Sequence, residues 1–278
     1  MTKDEQRARA FAFRQSHHGD QILVLPNAWD TGSAVMFARA GFQAVGTTSA
    51  GVAYALGYPD GEAMPFPLLQ DFVTRTAHRI TPPLSVDFEE GFATTPHQIA
   101  ARVCDIIACG AVGLNLEDQY FKDTQTLQDI DRHCAIIEAV AAARDTSGIP
   151  FVLNARINTH WYPLHNQTDL LKMAIERSNR CLAAGADCAF IPSVAKRSDI
   201  KTLVQEIDGP VNILSSATCP PIAQLQDIGV ARISIGSSAA RAMLCHVQSV
   251  IDELQSTGTF SNLYECSLPY GQANSIFD

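Results

Sequence analysis

No run of apolar residues in this sequence approaches the ~18 that a membrane-spanning helix needs. The opening MTKDEQRARAFAF is charged rather than signal-like, so a cytoplasmic protein is expected. Positive charge is in short supply. Twenty Lys and Arg stand against 29 Asp and Glu, a formal net charge of −9. Nucleic acid and anionic membrane surfaces, which need clustered basic residues, are excluded as partners on that ground. A small anionic substrate is not, because one arginine or metal can reverse the field inside a cleft. None of the eight cysteines, at 104, 109, 134, 181, 188, 219, 245 and 266, forms a CxxC pair. They read as small buried apolar residues of a reducing compartment. No GxGxxG follows the first apolar run, which counts against an open dinucleotide-binding sheet. No linker or low-complexity segment divides the 278 residues, of which 46% are hydrophobic. A single α/β barrel of about 250 residues accommodates that length better than two domains do.

Short apolar runs separated by helical patterns make up the rest. QILVLPNAWD, QAVGTTSAG, LSVDFE, GLNLED, FVLNARI, CAFIPS, VNILSS and RISIG read as eight buried strands. Gly41, Gly110 and Gly185 close Ala-rich helical stretches just before a strand, where a helix end wants a left-handed residue. The pattern predicts a (β/α)8 TIM barrel over residues 1–255, with an open doubly wound sheet as the alternative. Residues 256–278 are aromatic and apolar enough to need cover, on the barrel or on a neighbouring subunit.

Active sites in such barrels sit at the C-terminal strand ends. Asn27 and Asp30 follow the first strand and Ser49 to Gly51 the second. LSVDFEEG ends the third, and alternation on a strand would turn Asp87 and Glu89 to one face. Glu117 ends the fourth, in GLNLEDQ, and Arg156 with Asn158 the fifth. Carboxylates ringing one mouth repel one another unless a cation neutralises them. An all-oxygen donor set favours Mg²⁺, with Mn²⁺ next. Arg156 offers a planar fork for a carboxylate or phosphonate, or a core ion pair with Glu117; the two roles are compatible. Asp118 reads as a structural salt bridge or cap rather than a metal contact. Tyr54, Tyr58, Tyr120, His160 and Trp161 are candidate acids or specificity residues. His17, His18, His78, His97, His133 and His165 read as surface or satisfied core side chains.

PNAWD, GTTSAG, VDFEEG, GLNLEDQ and NARIN, in that order, resemble the isocitrate lyase and phosphoenolpyruvate mutase superfamily. The likeness runs from about Pro26 to the LPYGQANSIF tail. It implies a barrel whose eighth helix is exchanged between subunits of a homodimer or homotetramer, a bound Mg²⁺, and a 2-oxo acid or its enolate. It also implies Asp87 as direct metal ligand, with Asp60, Glu89 and Glu117 acting through waters. Ser49, Ala50 and Gly51 would receive the substrate carboxylate opposite Arg156, with Trp29 and Asn212 as further substrate contacts. Asp60, Glu117 and Arg156 are the catalytic candidates. One loop departs from the pattern. Isocitrate and methylisocitrate lyases carry KKCGH or KRCGH after the EDQ strand, and here YFKDTQTL follows. Asp123 and Gln125 stand where phosphonate enzymes place lysine and asparagine, with Lys122 adjacent. The sequence resembles short-looped branches such as oxaloacetate decarboxylase and dimethylmalate lyase. The expectation is a Mg²⁺-dependent C–C lyase acting on a small 2-oxo or 2-hydroxy carboxylate. C–P bond chemistry and non-catalytic binding of metal and oxo acid remain open.

Overall fold

The structure, a computed structural model, describes residues 1–120, 123–161, 164 and 169–278; for 120 and 123–125 it describes the backbone. Lys122 and His165, and the side chains of Tyr120, Asp123 and Gln125, lie outside the described residues.

The chain opens with α1 (Lys3–Gln15), then β1 (Leu23–Leu25), β2 (Asn27–Ala28) and α2 (Thr31–Arg39). Next come β3 (Val45–Thr47), α3 (Ser49–Ala55), α4 (Phe66–Arg79), β4 (Leu84–Asp87) and α5 (Pro96–Ala108). β5 (Gly113–Glu117) leads into a hairpin of β6 (Gln119–Tyr120) and β7 (Asp123–Leu127), followed by α6 (Ile130–Ser147). Then follow β8 (Val152–Arg156), α7 (Leu170–Ala183), β9 (Cys188–Ile191), α8 (Arg197–Glu206), β10 (Val211–Leu214) and α9 (Ile222–Ile228). β11 (Arg232–Ser234), α10 (Ser238–Ser256), α11 (Ser261–Glu265) and α12 (Tyr270–Ser275) complete it.

Nine parallel strands run in the order β1-β11-β10-β9-β8-β5-β4-β3-β2. β1 and β2 are two pieces of the one strand predicted for QILVLPNAWD, divided at Pro26. A proline has no N–H to give a ladder. Before it β1 pairs with β11, and after it β2 pairs with β3, so the strand that breaks is also the one that closes the barrel. The TIM-barrel expectation therefore holds, with its first strand in two segments. Register sets Glu117 opposite Arg156 and Arg156 opposite Phe190, and places Asp87 opposite Asn115.

The barrel floor is sealed by α1. Its Thr2 and Glu5 form a reciprocal cap, and the helix lays Phe13 against Gly113, where a Cβ would lie 2.7 Å from the ring. Gln6 Nε2 donates to the carbonyls of Ile107 and Ala111, at 2.7 and 2.9 Å. Asp187 binds both Arg14 and Arg144 beneath β9.

α10 stands apart. Ala240 is its one buried residue, while Met243, Leu244, Val247, Ile251 and Leu254 form an exposed apolar stripe. The tail returns to the barrel at its end, where Arg39 and Arg79 donate to the carbonyls of Ser275 and Phe277. Cys134, Cys181 and Cys188 are buried as expected, whereas Cys104, Cys245 and Cys266 are exposed because they lie on outer faces of α5, α10 and the tail. Among the described residues no helix is long and apolar enough to cross a membrane.

Candidate active site

Asp87 ends β4 and is fixed from three directions. Its N–H donates to Thr47 Oγ1 at 2.8 Å, Oδ2 accepts from the Ser49 N–H at 3.1 Å, and Oδ1 accepts from Asn115 Nδ2 at 3.3 Å. The strand alternation predicted to carry Glu89 to the same face stops here. Glu89 is left-handed, φ 53°, as are Gly91 at 105° and Phe92 at 53°. Such backbone is strained for residues bearing a Cβ and recurs at functional sites. The turn sends Glu89 Oε2 to accept from the N–H groups of Gly61 and Glu62, at 3.0 and 2.8 Å, which holds the loop of Asp60 beside Asp87. Glu62 returns the tie by accepting from the Phe92 N–H at 2.7 Å.

Glu117 and Arg156 face each other across β5 and β8. Arg156 Nη1 donates to Glu117 Oε1 at 2.6 Å, and Asn158 Nδ2 donates to Oε2 at 2.9 Å. Arg156 Nε meets Asn158 Oδ1 at 3.0 Å, and the guanidinium lies 5.0 Å from the Trp161 ring and 5.6 Å from Phe190. The core ion pair expected for Arg156 exists, and the same side chain lines the cavity. Asp118 makes the structural salt bridge expected of it, to Arg177 at 2.7 Å. His133 departs from expectation. It is buried with neither ring nitrogen bonded, and burial lowers its pKa to about 4.

Four acids converge, and their electrostatics show it. Burial, then the charges of Asp60 and Glu117, push Glu89 up to about 9. Burial lifts Glu117 to about 8; Arg156 pulls it down while Asp87 and Asp60 add to the rise. Asp60 is raised by burial and by Asp87. Among the described residues no three His, Cys, Asp or Glu side chains close into a ready-made metal cage. Mg²⁺ does not require one, since it takes one or two carboxylates directly and keeps several waters. An oxygen-only cluster whose members destabilise one another's charge fits a hard divalent ion.

A cavity of about 450 Å³ opens over this cluster. Ser49, Ala50, Asp60, Asp87 and Arg156 line it, while Glu89 and Glu117 stand behind them. Gly51, Trp29 and Asn212 do not line it. Gly51 packs its bare Cα where a Cβ would lie 2.6 Å from Thr48 Cγ2 and 2.7 Å from Trp29 Cβ. Asn212 is fully buried, accepting from Ser234 Oγ at 3.2 Å. Of the candidate acid or specificity residues, Trp161 reaches the cavity; Tyr54, Tyr58 and His160 do not. The opposite wall carries Ser215, Ser216, Ser237, Ser238 and Arg241, none of them anticipated. Ser215 and Ser216 directly follow β10, where the strand-end rule that finds Asp87 also reaches, whereas Ser238 and Arg241 lie on α10.

A family model described as phosphoenolpyruvate phosphomutase matches residues 13–255. The chain belongs to the phosphoenolpyruvate phosphomutase family. An uncharacterized protein of Mycobacterium tuberculosis is 34% identical over 234 residues, covering 81% of this chain and 82% of that protein. The 2-methylisocitrate lyase of Escherichia coli is 28% identical over 261 residues, 89% of this chain and 85% of its own. A crystal structure from Burkholderia cenocepacia, of a protein described as a lyase/mutase, superposes with a TM-score of 0.92 at 29% identity and covers 99% of this chain and 98% of that one. The resemblance drawn from PNAWD through NARIN is thus borne out at the level of family and fold.

Proposed function

We propose that this family member is a Mg²⁺-dependent lyase that cleaves a C–C bond in a small 2-oxo or 2-hydroxy dicarboxylate. The observation that carries the reading is the two-ended cavity, with the acid cluster and Arg156 at one end and Arg241 among serines at the other. Two cationic side chains across one small cavity suit two carboxylates. Asp87 would hold the ion directly, and Asp60, Glu89 and Glu117 through waters; Mn²⁺ has the same ligand preferences. When bound, the ion supplies Lewis-acid stabilisation for charge developing on the substrate's 2-oxygen as cleavage leaves an enolate. Arg156, held by Glu117 and Asn158 and stacked on Trp161, orients the adjacent carboxylate. Asp60, on the cavity wall beside Asp87, would accept from the ion's waters. Trp161 and Phe190 keep that end of the cavity apolar. The absence of cysteine and histidine between Gln119 and Gln128 argues against methylisocitrate cleavage, despite the likeness to those lyases. Asp123 and Gln125 argue likewise against phosphonate chemistry.

The test is pyruvate release from oxaloacetate, substituted malates, methylisocitrate and phosphonopyruvate, with Mg²⁺ and with EDTA, using Asp87→Ala as the blank. Metal-dependent release above that blank from oxaloacetate or a malate is expected. No release from any compound, with oxalate still binding in the presence of Mg²⁺, favours the binding-only reading.

The exposed stripe of α10 extends this reading to assembly. Its apolar positions recur at helical spacing and stay exposed among the described residues, as those of a helix exchanged between subunits would. A homodimer or homotetramer is expected by light scattering, and Ile251→Glu should lower its mass.

A further inference from the structure

Glu117 and Asp118 leave the end of β5 on opposite faces. Asp118 is fully buried, and Arg177 of α7 donates from Nε to its Oδ2 at 2.7 Å. The same guanidinium donates from Nη2 to the carbonyl of Gln128, at 2.8 Å, on the far side of the β6–β7 hairpin. The Gln128 N–H donates to the Asp118 carbonyl at 2.7 Å. Both feet of the hairpin are therefore joined to each other and to one arginine. The second carboxylate oxygen of Asp118 accepts from the Asn158 N–H at 2.8 Å, and the Asp118 N–H donates to the Arg156 carbonyl at 3.1 Å. Asn158 is the residue whose side chain bridges Glu117 and Arg156. Arg177, Asp118, Gln128 and Asn158 do not line the cavity.

We propose that Arg177 is a positioning residue of this active site. Acting through Asp118 and Asn158, it locks the Glu117–Arg156 pair and the hairpin's feet into one geometry. A planar fork with several donors can span two chain segments at once, which a lysine ammonium on one acceptor cannot. A pair kept for stability alone would be replaceable by neutral groups without loss of rate.

The test compares three proteins with the wild type. Asp118→Asn with Arg177→Met removes both charges, so no orphan ion is buried, and Asn at 118 retains an acceptor for the Asn158 N–H. Arg177→Lys keeps the charge pair and loses the second link. Asp187→Asn with Arg144→Met removes an ion pair at the barrel floor, where the remaining Arg14 is partly solvent-exposed, and serves as the control. Amide exchange of the 118–128 segment, read by mass spectrometry without substrate, is expected to quicken about tenfold in both Arg177 variants and to stay unchanged in the floor variant. Among folded proteins, kcat is expected to fall about tenfold to a hundredfold in both Arg177 variants, with the floor variant within about twofold of wild type. Unchanged exchange at 118–128 overturns the proposal. So does a kcat within about twofold of wild type in either Arg177 variant, or an equal loss in the floor variant. The rate measurement rests on the lyase reading, whereas the exchange measurement does not. A protein without turnover on any substrate still answers whether the clamp exists.

Discussion

Glu117 and Asp118 are adjacent, both buried, each bonded to an arginine and each to Asn158, yet the two sides of this strand end differ in kind. On the inner side, burial lifts the pKa of Glu117 to about 8 even though Arg156 pulls it down, and the charges of Asp87 and Asp60 add to the rise. On the outer side, Asp118 meets donors at both oxygens, Arg177 at 2.7 Å and the Asn158 N–H at 2.8 Å. A buried acid whose acceptors are matched by donors is a strut. A cluster of buried acids with raised pKa values that lies at a cavity is instead a candidate functional site. Proximity in sequence says nothing about which is which.

That contrast can be broken most sharply at Asp87. Asp87→Ala should lower metal-dependent turnover by about 10³-fold, measured as pyruvate release, while the far-UV circular dichroism stays native. On the outer side, Arg177→Met alone should destabilise the fold by about 3–5 kcal/mol in urea denaturation, because it leaves Asp118 buried without its counter-ion. Glu117→Gln is the inner counterpart and should behave differently. The amide keeps an acceptor for Arg156 and gives up only the one for Asn158 Nδ2, a single neutral donor. Metal-free stability is therefore expected to stay within about 1 kcal/mol of wild type, while Mg²⁺ affinity by calorimetry falls about tenfold. Equal destabilisation by both variants would erase the distinction between strut and site.

The smallest effect is in pH. Glu62 at about 7, Glu117 at about 8 and Glu89 at about 9 bind protons more tightly folded than unfolded. Their contribution to the stability of the metal-free protein is fully present below the ordinary carboxylate range and is lost as pH rises through those values. The melting temperature in EDTA should decline from about pH 6 to about pH 9, and saturating Mg²⁺ should flatten the decline. A flat profile in EDTA would show that burial does not hold protons on these acids.

Much of the architecture is legible in the sequence. Short apolar runs ending in Asp87, Glu117 and Arg156 marked strands buried on both faces and the end at which polar groups collect. Legibility failed where direction mattered. Glu89 was assigned to the face of Asp87 on the assumption that β4 continued; the strand ends at Asp87, and a left-handed turn re-aims the side chain toward Gly61 and Glu62. Asn212 sits at a strand residue yet points into packing, not into the cavity. Arg241 lies on a helix beyond the strand ends, although the start of that helix contributes to the cavity's second wall.

By itself the sequence determined that this would be a barrel with acids and one arginine at its strand ends, because periodicity and strand-terminal polarity are local properties of the chain. Only the tertiary structure decided which acids share one field, which is clamped outside it, and where a second cation stands. Those outcomes depend on distances between strand ends far apart in sequence, and such distances exist only once Pro26 has broken the first strand and β1 has closed on β11.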